Sequence, residues 1–304
     1  MPNLHGFLNI NKPANWTSFD VVAKVRSLTG VKRVGHAGTL DPFATGVLVV
    51  AVGRARFLIE QVQSFEKVYR GRIRLGQISD TDDVEGEKTT VAVTEQPTQS
   101  QVLLALAKFK GPIEQMPPTY SALKVKGRKM YELARKGLPV ERKLRKVTIH
   151  NLKLINYDYP HIDIEARVSK GTYIRALARD IGEELGTGAF LEKLVRQRVG
   201  SFELKDAIDV HDISTSKPGQ LEQQLWPIDT ATQGLERVRL PAHELERLAH
   251  GESVTAPTQF SRKAHGIPEL AVIDGDDRII MLASYSRDDH KLKSRRIFDE
   301  NMLR

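Results

Sequence analysis

The chain contains no cysteine among its 304 residues. Disulfides, thiolate nucleophiles and cysteine-based zinc or iron–sulfur sites are therefore excluded. The lack also fits a reducing compartment. No apolar run approaches the roughly 20 residues that a membrane span requires. The N-terminus, Met1 to Gly6, has no basic run followed by a long apolar segment, so no signal peptide is visible. A soluble cytoplasmic protein is expected. There is no internal repeat and no low-complexity tract. The acidic stretch Asp80-Thr81-Asp82-Asp83-Val84-Glu85-Gly86 invites a calcium reading, but the spacing fails. Counted from Asp80, Val84 takes the fifth position and Glu85 stands where glycine is required. A solvated turn, with one carboxylate free to face a site, accounts for it better, and no metal is expected.

What is present starts with charge. The formal net charge is +8, which suggests a polyanionic partner, nucleic acid first. Between Pro117 and Lys146 stand ten basic residues against two acids, Glu132 and Glu141, so this one segment carries the whole excess. Its prolines, glycines and interleaved Tyr120 and Tyr131 suggest an extended arm that tracks a phosphate backbone. The middle, Arg128 to Lys136, has a helical option with Gly137 as its stop. A merely solvated charged face is the bland alternative.

The stretch Gly35-His36-Ala37-Gly38-Thr39-Leu40-Asp41-Pro42-Phe43-Ala44-Thr45-Gly46 precedes the apolar run Val47 to Val52. Its glycines permit unusual backbone angles, and Pro42 biases Asp41 towards an extended conformation. A carboxylate is thus held in a stiff loop at the mouth of a core strand. On these residues alone, a polar turn accounts for the stretch slightly better than a catalytic loop.

The remaining pattern is α/β of the α+β kind. Leu4 to Ile10 reads as a strand, broken by Asn11-Lys12-Pro13. Thr17 or Ser18 caps a helix with Asp20 in its first turn and Gly30 as its stop. Lys67 to Leu75 alternates as a strand, which puts Tyr69 on the face of Gly71, Ile73 and Leu75. Thr98 to Phe109 is an amphipathic helix with Leu103, Leu106 and Ala107 on one side. Thr148 to Leu154 and Ile162 to Val168 are strands. Ile174 to Leu185 is a helix with Tyr173 and Arg175 in its first turn. A cation there is slightly unfavourable, so Arg175 is a candidate for pairing with a carboxylate. Leu191 to Val199 is a short apolar segment with Arg196 and Arg198. Ser214 to Gly219 is a loop. From about Leu235 the chain reads as a small, separate β domain with strands at Leu270–Ile273 and Arg278–Leu282 around the turn Asp274–Asp277.

Several of these stretches, in this order, resemble the pseudouridine synthases of the TruB type. They are Asn11-Lys12-Pro13, the aspartate loop Gly35 to Pro42, Lys67-Val68-Tyr69, Tyr120-Ser121-Ala122-Leu123-Lys124 and Lys170-Gly171-Thr172-Tyr173-Ile174-Arg175. The resemblance covers Leu4 to Arg198 well and the tail loosely. It implies a curved, mostly antiparallel mixed sheet with flanking helices in a catalytic domain over 1–232. It also implies a basic RNA-binding insertion at about 115–146 and a PUA-like RNA-binding domain over 235–304. The implied reaction isomerises a uridine in the T-loop of tRNA, at the position conventionally numbered 55, after the base is flipped out. No cofactor is implied, and the protein would be a monomer.

By motif position Asp41 would be the catalytic carboxylate, Arg175 its partner and Tyr69 the ring stacked on the base. His36 would fill space vacated by the base or help to extrude it. Tyr173 and Leu194 would line the base pocket, Asp83 would join its polar network, and Lys12 would meet a phosphate. Lys124, Lys126 and Arg128 would contact the RNA. A non-catalytic tRNA chaperone, or the same chemistry on another RNA, would use the same basic arm.

Overall fold

A computed structural model of the chain describes residues 4–120, 124–125, 128–129, 142–210, 212, 220–257 and 269–298. Its centre is a ten-stranded mixed sheet. In chain order the strands are β1 (Gly6–Lys12), β2 (Val34–His36), β3 (Thr45–Val52), β4 (Lys67–Leu75), β5 (Gly111–Gln115), β6 (Arg145–Asp158), β7 (His161–Val168), β8 (Ala189–Val199), β9 (Phe202–Glu203) and β10 (Ile208–Asp209). The spatial order is β10-β1-β3-β8-β4-β7-β6-β5, with β2 beside β3 and β9 beside β8. Two pairings are parallel, β1 with β10 and β3 with β8; the others are antiparallel. This is the mostly antiparallel mixed sheet that the resemblance implied.

The unbroken apolar run of β3 is explained by burial on both faces. Val47, Val49 and Ala51 pack into one core, with Phe7, Leu58 and Phe202. Leu48, Val50 and Val52 pack into another, under Val21, Val22 and Val25 of helix α1 (Ser18–Thr29). That helix opens on a capping box, in which Thr17 and Asp20 each accept from the other's backbone N–H, and it closes on Gly30 at a φ of 67°.

The largest core lies under β4, β6, β7 and β8. It is covered by α2 (Gln99–Lys108) and α3 (Ile174–Glu184). The α2 face differs from expectation. Val102, Ala105 and Leu106 point inward, whereas Ala107 is exposed and Leu103 and Leu104 face solvent at 49% and 67% exposure. Three adjacent apolar residues allowed either rotation of the stripe, and packing chose the one that buries Val102.

The tail forms a five-stranded sheet of β11 (Arg237–Arg239), β12 (Val254–Thr255), β13 (Leu270–Ile273), β14 (Ile279–Ser286) and β15 (Lys291–Ile297), with helix α4 (Ala242–Ala249) against it. It is β-rich as expected, and besides its own core it packs against the central sheet. Ala271, Ile273, Ile279, Leu282 and Phe298 share a core with Phe7, Val47 and Leu58. Arg54 Nη1 donates to the Ile297 carbonyl at 2.8 Å.

Most of the basic arm lies outside the described residues, Lys126 among it, as does the whole loop at 214–219. Lys124–Val125 pairs antiparallel with Arg128–Lys129, so the arm's helical option does not hold at Arg128. Among the described residues no helix is long and apolar enough to cross a membrane.

Candidate active site

One register row of the sheet carries the site. Lys12 pairs with Gly46, Gly46 with Arg196, Arg196 with Tyr69, and Tyr69 with Ala166. Directly opposed residues project to the same face, so two cations and a phenol ring stand side by side across β1, β8 and β4. Gly46 has a φ of 99°, and a Cβ there would lie 2.3 Å from the Arg196 carbonyl oxygen. A glycine is required for β3 and β8 to approach so closely.

The aspartate loop is fastened to this row by buried cations. Arg196, 1% exposed, donates from Nε to the Val47 carbonyl at 2.6 Å and from Nη2 to the Gly38 carbonyl at 3.0 Å. Lys12 is fully buried, and its ammonium donates to the carbonyls of Pro13, Trp16 and Pro42 at 2.8, 2.6 and 3.1 Å. The expectation of a phosphate contact for Lys12 is therefore corrected. Its three partners are backbone carbonyls, one of them the residue after Asp41. Burial pushes its pKa down to about 8, against the pull of Asp41. Ser18 Oγ and the Leu40 backbone exchange two more hydrogen bonds, at 2.9 and 3.1 Å.

Asp41 is held by Arg175, which enters from the first turn of α3. Nε lies 3.0 Å from Asp41 Oδ2, and Nη2 donates to Oδ1 at 3.3 Å. Nη1 donates to Asp83 Oδ2 at 2.9 Å and to the Thr81 carbonyl at 3.0 Å; Nη2 also donates to the Tyr120 carbonyl at 2.9 Å. One guanidinium thus ties the catalytic candidate, the acidic loop and the start of the arm together, which suits its fixed fork of donors. Asp83 is 2% exposed and accepts from Thr81 Oγ1 and the Glu85 backbone. The acidic stretch does turn one carboxylate towards the site. Asp41 is less enclosed: about a third (32%) of its side chain meets solvent. Desolvation raises its pKa, Arg175 opposes, Asp83 adds to the rise, and the net direction is upward. Arg175 tempers the cost of burying the carboxylate without cancelling it.

Above Asp41 opens a cleft of about 760 Å³. Asp41, Tyr69, Tyr173, Arg175, Leu194 and Arg196 line it. Exposed Arg145, Lys146 and Lys170 make its basic rim, and buried Lys67 is also part of its lining. The size fits a ligand the size of a nucleotide, and the rim fits a polyanion. Burial pushes Lys67 down to about 8, assisted by Arg196 and Lys170. The backbone of Tyr173, the residue that caps α3, exchanges hydrogen bonds with the Gln115 amide at 2.9 and 3.1 Å. Half-buried His36 sits on β2 opposite Val50 and is not among the residues that line the cleft. For Lys124 and Arg128 only the backbone pairing is described.

Residues 26–174 match the family model described as TruB family pseudouridylate synthase (N terminal domain), and 175–233 match tRNA pseudouridylate synthase B C-terminal domain. A protein of Dehalococcoides mccartyi (strain CBDB1) named tRNA pseudouridine synthase B is 45% identical over 253 residues, 83% of this chain and 84% of its own. The chain belongs to the TruB family of pseudouridylate synthases. A Clostridium tetani (strain Massachusetts / E88) protein of the same name is 38% identical over 251 residues, covering 83% of this chain and 86% of its own. Among solved structures, the crystal structure of a Cbf5–Nop10–Gar1 complex superposes with a TM-score of 0.74. It covers 97% of this chain and 85% of that one, at 23% identity, a likeness of fold.

The hydrogen bonds bring out polar residues to which the sequence pattern assigned no role. Arg196 looked like one cation in an apolar segment, because its partners are carbonyls that no motif reveals. Gln115 and Arg179 were likewise silent. Lys67 carried a signal, an isolated lysine two residues from Tyr69 at the start of an alternating strand.

Proposed function

We propose that the chain isomerises uridine to pseudouridine in the T-loop of tRNA, at position 55, with Asp41 as the catalytic carboxylate. The observation that carries this reading is the Arg175 bridge: an Asp41 carboxylate gripped by a buried guanidinium at the floor of a basic, nucleotide-sized cleft. The relatives named for tRNA support the choice of RNA.

The reaction breaks the C1′–N1 bond of the nucleoside, turns the base and joins C5 to C1′. The C5 proton leaves and N1 gains one, so atoms balance without a redox partner. The target base must leave its stack to reach Asp41. Tyr69 stacks on the flipped base, and Tyr173 and Leu194 line its pocket. Arg175 keeps the Asp41 carboxylate oriented, and Asp83 holds Arg175 in turn. His36 acts at the edge of this set, where it occupies or clears the space of the base. Lys124, Lys126 and Arg128 meet RNA phosphates through counterion release. Residues 1–232 act as the catalytic unit, with the insertion at about 115–146. Residues 235–304 serve as a PUA-like RNA contact. The protein works as a cytoplasmic monomer.

Asp41 acts ionised, and its pKa lies above the ordinary carboxylate value. Activity is therefore complete above the raised pKa and is lost as pH falls through it. The acid limb of kcat/KM should lie above about pH 4, the range of an unperturbed aspartate. The deciding experiment incubates the protein with unmodified tRNA transcript and maps pseudouridine. Product at the T-loop uridine supports the reading. Tight binding without product would point to a chaperone, and product elsewhere to another RNA target.

A further inference from the structure

Two arginines one turn apart on α3 make parallel sets of bonds. Arg175 reaches Asp83 with Nη1 and the Tyr120 carbonyl with Nη2, each at 2.9 Å. Four residues on, Arg179 reaches Asp82 with Nη1 at 2.9 Å and the Met116 carbonyl with Nη2 at 3.0 Å. Positions i and i+4 share a helix face. The two guanidinium groups are thus rungs between the acidic loop on one side and the chain at 115–120 on the other. A third tie, between Gln115 and the Tyr173 backbone, closes the end of the ladder.

The rungs differ in what else they touch. The Arg175 rung includes Asp41. The further partners of Arg179 are Asp180, at 2.7 and 2.9 Å, and Glu183, at 3.9 Å. Asp82 is held firmly on its own side. It keeps a left-handed φ of 62°, a strained angle for a residue with a side chain. Its carbonyl accepts from Leu191 N–H at 3.0 Å, which ties it to β8. Arg179 therefore joins a point fixed to the central sheet to Met116, just before Pro117-Pro118 and the most basic stretch of the chain.

We propose that Arg179, anchored by Asp82, is a positioning residue for RNA engagement. It fixes the chain at 115–120 so that the basic stretch leaves from one place beside the cleft. The proposal rests on the function given above. Arg179 acts through Met116 and not on the reacting nucleotide, so its loss should weaken tRNA binding more than it slows turnover.

The test compares wild type with Arg179→Met, Arg179→Lys and Asp82→Asn. It measures Kd for unmodified tRNA transcript across a KCl series, kcat and KM, and the thermal midpoint. For Arg179→Met, Kd and KM should rise about tenfold, with a smaller loss in kcat. The slope of log Kd against log salt should flatten by about 0.7 to 0.9, one phosphate contact. Arg179→Lys should recover part of the affinity, because an ammonium still pairs with Asp82. Unchanged Kd and salt slope in Arg179→Met would overturn the proposal even if the thermal midpoint fell, as would a loss confined to kcat. Should that variant fail to fold, Asp82→Asn decides, with a smaller shift of Kd in the same direction expected. A wild type that binds tRNA without forming pseudouridine would overturn the function and leave the Kd comparison decisive for Arg179. A wild type that does not bind tRNA would overturn both.

Discussion

The charged residues of the cleft are buried to unequal depths, and each depth has a consequence. Arg175 spans Asp41, Asp83, Thr81 and Tyr120 at once. An ammonium in its place keeps the charge but cannot reach four partners. Arg175→Lys should therefore lower kcat by about 10²-fold, the scale of a misplaced catalytic group. Arg175→Met removes the charge that opposes burial, so the acid limb of kcat/KM should move to still higher pH. Steady-state kinetics across pH check both. The buried lysines give a second prediction. Lys12 and Lys67 fall from 10.5 to about 8 on folding. Between about pH 8 and 10.5 the unfolded chain holds protons that the folded chain has released, so stability rises with pH there and is lost as pH falls towards 8. Urea midpoints at pH 7.5 and 9.5 should show that rise, and Lys12→Met should flatten it. A variant with the wild-type slope would remove Lys12 as a source. The phosphate contact expected of Lys12 came from motif position, which carries no information on burial. The burial of Lys12 depends on three carbonyls that only the folded loop presents.

Elements were legible where one period dominated and both ends were punctuated. Lys67 to Leu75 appears as the alternating strand its pattern implies, and α3 spans Ile174–Glu184 as its spacing requires. The first-turn cation of α3 was also a true signal, since Arg175 meets two carboxylates. The stripe of α2 was ambiguous, because Val102, Leu103 and Leu104 are adjacent and periodicity cannot choose among them. The length of β6 was underestimated: it runs Arg145–Asp158, and its outer half, with exposed Ile155, lacks the clean alternation of a half-buried strand. One tight constraint between elements is Gly46 against Arg196. Gly46→Ala should cost roughly 3 kcal/mol or more, from a side chain at positive φ and a contact no rotamer relieves. The thermal midpoint checks this; a midpoint equal to wild type would mean that β3 and β8 are not so closely packed.

For the whole molecule, two features exceed any single element. One is the tail, which read as a separate domain because its composition changes near Leu235. It does hold a core of its own under α4, and Ala271, Ile273, Ile279, Leu282 and Phe298 complete a second core with Phe7 and Leu58. A chain ending at residue 234 should therefore melt at least about 5 °C below the full chain, as expected for a few kcal/mol lost from a protein of this size. An unchanged midpoint would restore the separate-domain picture. The other is the concentration of positive charge at 117–146. Deleting 124–143 should weaken tRNA binding and flatten its salt dependence by about 0.7 to 0.9 per phosphate contact removed. Equal affinity and slope would reduce the arm to a solvated face. The direct test of the central claim is pseudouridine mapping on unmodified tRNA transcript with Asp41→Asn beside wild type, alongside the Kd of each. Asn keeps the shape of the side chain and loses its charge. We predict pseudouridine at the T-loop uridine with wild type and none with Asp41→Asn, at closely similar affinity; isomerisation by the variant would contradict the assignment of Asp41.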